Sequence, residues 1–349
     1  MELKNIIGQL FLLGFKGQTI DAHNPIVADI RDRNLGGVIL FDKHLAKKRN
    51  QNNIASPAQL KKLTASLQSY SDTPLLIAVD QEGGMVRRLK AETGFPETAS
   101  AKELGTYDDP VCTALHAACT ATILRKTGVN YNLAPVADLD IFPDNPVIGK
   151  INRSISADPD PVIRHAAIWI EEHSKQNIIS CLKHFPGHGS SKTDSHLGFT
   201  DISNTWQETE LTPFQTLINQ QNKNKVASVM MGHLFHNGLD TQYPTSLSQK
   251  VVENLLRKQL GYKGVVISDD LQMKAITDKY GLEESVCLAL AAGVDMIIVG
   301  NNLEYDPGFL ERIIPVVIQA VAENKISKNH IIAAWKRVSH MKKRLNQDN

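Results

Sequence analysis

Four apolar runs in this sequence end in polar residues that packing alone does not explain. LLIAVD ends in Asp80, ISCLKHF carries Lys183 and His184, ASVMMGH ends in His233, and VVISDD ends in Asp269 and Asp270. A single terminal aspartate is as readily a helix N-cap as a catalytic group. Four such ends carry more meaning if the runs are parallel strands of one barrel, because barrel enzymes place their chemistry beyond the carboxyl ends of the strands. An aspartate there can attack an anomeric carbon and form a covalent intermediate that water then clears. Residue type alone does not rank Asp269 above Asp270, and the neighbour of a nucleophile could equally cap the following helix.

The stretch Lys183–His196, KHFPGHGSSKTDSH, holds three histidines among loop-forming Gly, Pro, Ser and Thr. Asp194 and His196 are two apart, so on a turned segment a carboxylate can fix an imidazole's tautomer and support general acid/base work. A lone surface histidine is ordinarily just solvated; the paired aspartate is what argues otherwise. In DQEGGMVRR, Asp80 and Arg88 are the right types to hold sugar hydroxyls by charge-assisted hydrogen bonds, and Gly83-Gly84 lets backbone approach a ligand. Arg153, in INRS, could join them from another loop. Each of these, taken singly, would be an ordinary surface ion pair.

The elements that must position these residues follow from periodicity. Short apolar runs predict strands near 12–15, 37–41, 75–80, 129–138, 178–185, 226–233, 265–269 and 296–300. Helical spacing fills the intervals over 26–33, 57–70, 110–126, 160–175, 211–222, 247–260 and 282–292, with Ser56-Pro57 and Asp158 as start signals. An amphipathic helix leads into the first strand. Strands apolar throughout and alternating with helices imply a parallel sheet covered on both faces. Eight of them predict an α/β fold of the (β/α)8, TIM-like barrel kind. The barrel would be a single domain over 1–349, with C-terminal helices over 308–344 packed on it. A doubly wound open sheet competes, but no G-x-G-x-x-G follows the first strand.

Lysine plus arginine is 38 against 37 acidic residues, a net charge of +1, which argues against a nucleic-acid binder. Gly8 and Gln9 interrupt the N-terminal apolar patch, so a secretory signal is not expected, and no run is long enough to span a bilayer. Four scattered cysteines (Cys112, Cys119, Cys181, Cys287) show no pairing pattern and are expected as buried thiols. A cytoplasmic protein, monomeric because one barrel buries its own core, is the expectation. The polar stretch 43–53, KHLAKKRNQNN, is expected as a solvated loop, with a basic groove for an acidic substrate as the alternative.

With these residues in place, the chain resembles glycoside hydrolase family 3, in its branch of single-domain β-N-acetylglucosaminidases (β-hexosaminidases). DQEGG (80–84), NRS (152–154), KHFPGHG (183–189), TDSH (193–196) and SDDLQM (268–273) carry the resemblance in the family's order, with IGQLFLLGF (7–15) and GGVILF (36–41) similar to its first strands. The combination of KHFPGHG with DSH is specific; EGG or SDD alone would be weak.

The resemblance implies retaining hydrolysis by two displacements. It assigns Asp269 as nucleophile, His196 as acid/base and Asp194 as its partner, with Asp80, Arg88, Arg153, Lys183 and His184 holding the N-acetylglucosamine unit. No cofactor, metal, nucleic-acid partner or membrane is expected. The implied substrate is a small cell-wall sugar: β-1,4-linked N-acetylglucosamine on 1,6-anhydro-N-acetylmuramic acid, with or without peptide, met in peptidoglycan recycling. Met85 departs from the arginine common after EGG, so a local contact there is in question, with Arg87 or Arg88 as possible substitutes.

A metal-dependent hydrolase is the main rival, since His184, His188, His196, His233, Asp194 and Asp269 are all ligand types. A sugar-binding protein without catalysis, and a β-glucosidase or β-xylosidase of the same family, are the others. The role of His233 stays open between a sugar contact and support for the nucleophile.

Overall fold

The computed structural model describes residues 2–44, 51–195, 197–220 and 226–346. In chain order its elements are α1 (Leu3–Gly8), β1 (Phe11–Gly14), α2 (Pro25–Asp32), β2 (Gly37–Ile39), α3 (Pro57–Ser69) and β3 (Leu76–Val79). A hairpin of β4 (Gln81–Gly83) and β5 (Val86–Arg87) follows, then α4 (Ala101–Tyr107), α5 (Pro110–Lys126), β6 (Tyr131–Asn132), α6 (Pro159–Lys175) and β7 (Ile179–Phe185). The chain continues through α7 (Thr212–Asn219), β8 (Ser228–Met231), a π-wound helix Lys250–Gln259, β9 (Val265–Asp270), α8 (Lys274–Tyr280), α9 (Leu282–Ala292) and β10 (Met296–Val299). It ends in α10 (Phe309–Ala322) and α11 (Lys328–Lys342).

The strands β1, β2, β3, β6, β7, β8, β9 and β10 close into one parallel barrel, with Phe11 of β1 opposite Ile297 of β10 where the ring completes. The TIM-like expectation is met, and the open sheet is not. Almost every strand residue is buried because side chains fill the barrel inside and helices cover it outside, which is why the runs read apolar throughout. Four helices start at a proline behind a capping side chain: Asn24, Ser56, Asp109 and Asp158 each accept from a backbone N–H of the first turn.

The structure departs from the sequence-based expectations in three places. The strand expected over 129–138 pairs regularly only at Tyr131 and Asn132, with a further bridge from Val136 to Lys183. Of the four thiols only Cys181 is buried, and Cys119 is exposed. On α5 the buried positions are Thr113, Ala117, Thr120, Ala121 and Leu124, so residues 112 and 119 fall off that stripe. The stretch 43–53 is not solvated along its whole length. Residues 45–50 lie outside the described residues, but Asn53 is fully buried and donates to the carbonyls of Phe15 and Gly17, while its Oδ1 accepts from Phe41 N–H. It ties the ends of β1 and β2 together.

The last helix, α11, is held by a buried carboxylate. Asp295, immediately before β10, is wholly buried and accepts from Val266 N–H at 2.9 Å, from Arg257 Nη2 at 2.6 Å and from Arg337 Nη2 at 2.8 Å. One side chain thus joins β9, the π-wound helix and α11. Removing one partner of a buried ion pair typically costs about 3–5 kcal/mol, because the other charges stay buried and unpaired. Asp295→Ala is therefore expected to lower unfolding stability by that order, read as a lower denaturant midpoint at unchanged slope. A loss under about 1 kcal/mol would contradict this anchoring role.

Candidate active site

A cavity of about 380 Å³ opens beyond the carboxyl ends of the strands. Asp80 reaches it from the end of β3, Lys183 and His184 from β7, Asp269 from β9, and Arg88 and Arg153 from loops. These six expected site residues meet in one place. Asp194 stands half-buried on the loop after β7, next to Ser195, which lines the cavity. His196 lies outside the described residues.

Charges alternate along the cavity floor. Arg88 Nη2 is 3.2 Å from Asp80, whose other oxygen accepts from Lys183 Nζ at 2.9 Å. Lys183 Nζ also meets Glu82 at 2.6 Å, and Glu82 takes a two-pronged contact from Arg153, 2.8 Å from both Nε and Nη2. Burial works to raise the Glu82 carboxyl, but the Arg153 guanidinium and the Lys183 ammonium overcome it and hold the pKa down to about 2. Burial likewise works against the Lys183 charge, and Asp80 and Glu82 push its pKa above the ordinary value. Fixed cations and carboxylates side by side are what sugar hydroxyls need, since each hydroxyl both donates and accepts.

Local sequence explains the placement. Gly83 has φ +102°, and a Cβ there would come within 2.0 Å of the Ala99 carbonyl, so the paired glycines are a conformational requirement. Gln81 Oε1 accepts from the backbone of Arg88 and Leu89, closing the hairpin and aiming Arg88 at Asp80. Asn132, at the end of β6, holds Gln81 N–H and C=O, and its amide lies 3.0 Å from His173 Nε2 on α6. Met85 is largely exposed, and Arg87 donates to the Gly84 carbonyl.

The loop after β7 is anchored from three sides. Asn145 Nδ2 donates to the carbonyls of His188 and Gly189, Trp206 Nε1 to that of Pro186, and Glu210 accepts from Ser190 N–H. Asp138 is wholly buried and accepts from the amides of His184 and His188, at 3.1 and 2.8 Å, and lies 2.6 Å from His184 Nδ1. His188 is flanked by Ser191 Oγ at Nδ1 and Ser195 Oγ at Nε2. The Lys183–His184 peptide bond is cis.

At the end of β9 the two aspartates differ. Asp270 Oδ1 accepts from Gln272 N–H and Gly300 N–H, both at 3.0 Å, so that carboxylate is built into the turn and the neighbouring strand end. Asp269 accepts from the Asp270 amide at 2.8 Å, and both aspartates line the cavity. His233 supports this strand end: its Nε2 is 3.1 Å from the Asp270 carbonyl and its Nδ1 is 2.7 Å from Ser246 Oγ. Glu82 and Asp138 were not among the expected site residues, and His188 was named only as a possible metal ligand. Glu82 stands inside the quoted DQEGG, and Asp138 closes an apolar strand as Asp80 does, so the strand-end signal that found Asp80 was present for it too.

The model of the glycosyl hydrolase family 3 N terminal domain matches residues 2–341. This chain belongs to glycosyl hydrolase family 3. It is a glycoside hydrolase. A beta-hexosaminidase of Neisseria meningitidis serogroup C is 35% identical over 281 residues, covering 78% of this chain and 73% of that protein. The family 3 beta-N-acetylglucosaminidase of Paenibacillus sp. str. FPU-7 superposes with a TM-score of 0.89 at 32% identity, over 100% of this chain but only 64% of that one. The Beta-N-acetylhexosaminidase of Beutenbergia cavernae DSM 12333 gives 0.82 at 27% identity and is matched over 99% of its length. Among the described residues no three His, Cys, Asp or Glu are grouped to hold a metal ion, and no helix is long and apolar enough to cross a membrane.

Two buried histidines give this family member an acid-sensitive core. Burial pushes His188 and His173 down to about 4 from 6.5. The unfolded chain therefore binds protons first, and stability falls as pH drops from 6.5 through 4, by up to about 3 kcal/mol per histidine. His188→Gln is expected to shrink the difference in Tm between pH 7 and pH 5. An undiminished difference would sink this account.

Proposed function

We propose that the chain is a retaining exo-β-N-acetylglucosaminidase acting on terminal, non-reducing β-1,4-linked N-acetylglucosamine. The convergence of Asp80, Arg88, Arg153, Lys183, His184 and Asp269 on one cavity carries the reading. The similar hexosaminidases of Neisseria and Paenibacillus support it. Asp269 attacks the anomeric carbon as the glycosidic oxygen takes a proton from His196, whose ring Asp194 orients. The bond to the leaving sugar breaks and a glycosyl ester of Asp269 forms. Water, deprotonated by His196, then attacks the same carbon and frees the carboxylate. Most glycosidases use a carboxylic acid whose pKa must be raised for this proton transfer; an imidazole with a reference pKa of ~6.5 needs little adjustment.

The substrate we infer is a peptidoglycan fragment, N-acetylglucosamine on 1,6-anhydro-N-acetylmuramic acid with or without peptide, hydrolysed during cell-wall recycling in the cytoplasm by a monomeric enzyme. The Lys43, Arg88 and Lys90 side chains on the cavity wall, with Asp42 paired to Lys90, suit a leaving group that carries carboxylates. No cofactor or metal enters the mechanism.

The deciding assay is release of p-nitrophenol from the β-N-acetylglucosaminide beside the β-glucoside, with EDTA throughout. Release from the N-acetyl sugar alone is expected. Preference for the glucoside would overturn the specificity, and loss of activity to chelator would overturn the metal-free mechanism. Asp269→Asn should abolish nearly all turnover while N-acetylglucosamine still binds by calorimetry; substantial residual turnover would remove it as nucleophile. His196→Ala should slow the first step about 10²–10⁴-fold with a poor leaving group and little with a good one, since a good one leaves without a proton. Equal losses on both would contradict the acid role.

A further inference from the structure

The ring of His184 lies between two groups that leave it no choice of proton. Its Nδ1 is 2.6 Å from an oxygen of Asp138, which can only accept while ionised. Its Nε2 is 3.2 Å from Arg153 Nη2, which can only donate. The arrangement is satisfied in one state: the neutral imidazole with its hydrogen on Nδ1 and its lone pair on Nε2. The ionised state of Asp138 is itself secured. Burial opposes it, but the side-chain and backbone N–H groups aimed at the carboxylate favour its ionised form, and the carboxyl is held below its usual range. The same carboxylate accepts from the backbone N–H groups of both histidines, so the turn between them wraps around it.

We propose that Asp138 is a positioning residue for sugar recognition: it locks His184 as a hydrogen-bond acceptor on the cavity wall and pins the first turn of the loop that leads to Asp194. The proposal rests on the hexosaminidase reading for what enters the cavity. A sugar hydroxyl beside His184 then donates to Nε2 in place of Arg153, and Arg153 is released to donate to a sugar oxygen. A histidine of the opposite tautomer would set an N–H against the Arg153 N–H groups and could not accept. Asp138 sits behind the ring, out of the cavity, and acts only through His184 and the turn.

Asp138→Asn tests this with little change of shape. An amide can turn its NH₂ toward Nδ1 and drive the hydrogen to Nε2. Nitrogen-15 spectra of histidine-labelled protein at pH 7 should show His184 carrying its hydrogen on Nδ1 in the parent and on Nε2 in the variant. kcat/KM on p-nitrophenyl β-N-acetylglucosaminide should fall by about 10–100-fold, the same order as when the carboxylate orienting a metal-bound histidine is removed. Much of that loss should appear in KM. In a His184→Gln background Asp138→Asn should cost far less than it does alone, because the ring it positions is gone.

A parent His184 with its hydrogen on Nε2, or doubly protonated at pH 7, would overturn the proposal without recourse to any variant. Additive losses in the double variant would also overturn it, since they would mean that Asp138 acts on the fold and not through His184. The spectra are independent of turnover, so a parent protein inactive on the hexosaminide would refute the proposed activity and leave the test of Asp138 standing.

Discussion

Lys183 keeps its charge inside the mouth of a barrel only because Asp80 and Glu82 meet it there, and those carboxylates stay ionised only because Arg88 and Arg153 stand on their far sides. A buried charge without such partners would neutralise or unfold its surroundings. The alternation therefore constrains the hairpin after β3, the loop around Arg153 and the end of β7 together: none can shift without stranding a charge. The same constraint makes a rigid polar surface, which is the condition for binding a sugar whose every hydroxyl needs both a donor and an acceptor.

Around that floor the structure uses backbone groups to turn loops into fixed parts. Gln81, Asn132, Asn145 and Asp138 each bind main-chain amides or carbonyls of neighbouring segments, so the residues that face the cavity are held from behind by residues that do not. At β9 two adjacent aspartates both line the cavity and differ in what they accept: Asp270 takes the amides of the turn and of Gly300, and Asp269 that of Asp270.

Much of this was legible beforehand. Strands that bury both faces read as unbroken apolar runs, and a polar residue at the end of such a run has few reasons to be there, which is how Asp80, Lys183, His184 and Asp269 were found. Helix starts were legible because a capping side chain followed by proline is a local device, complete within three residues. Glu82 and Asp138 escaped although their signals were present: one lies inside a motif noticed for its glycines, the other ends a run that pairs regularly over only two residues. The exposure of Cys119 was not legible, because the residues around it in the sequence are equally apolar and only the docked face of α5 separates them.

The sequence by itself determined the order of elements, the parallel barrel and the chemical types gathered at its rim, because periodicity, capping and turn residues act over distances of a few positions. Tertiary structure alone decided which charges touch, which amides each of two adjacent aspartates accepts from, and which tautomer His184 must hold. Those depend on partners 46 residues away, as Asp138 is from His184, or 71, as Glu82 is from Arg153. No local pattern encodes the partner of a charge; the closing of the barrel does.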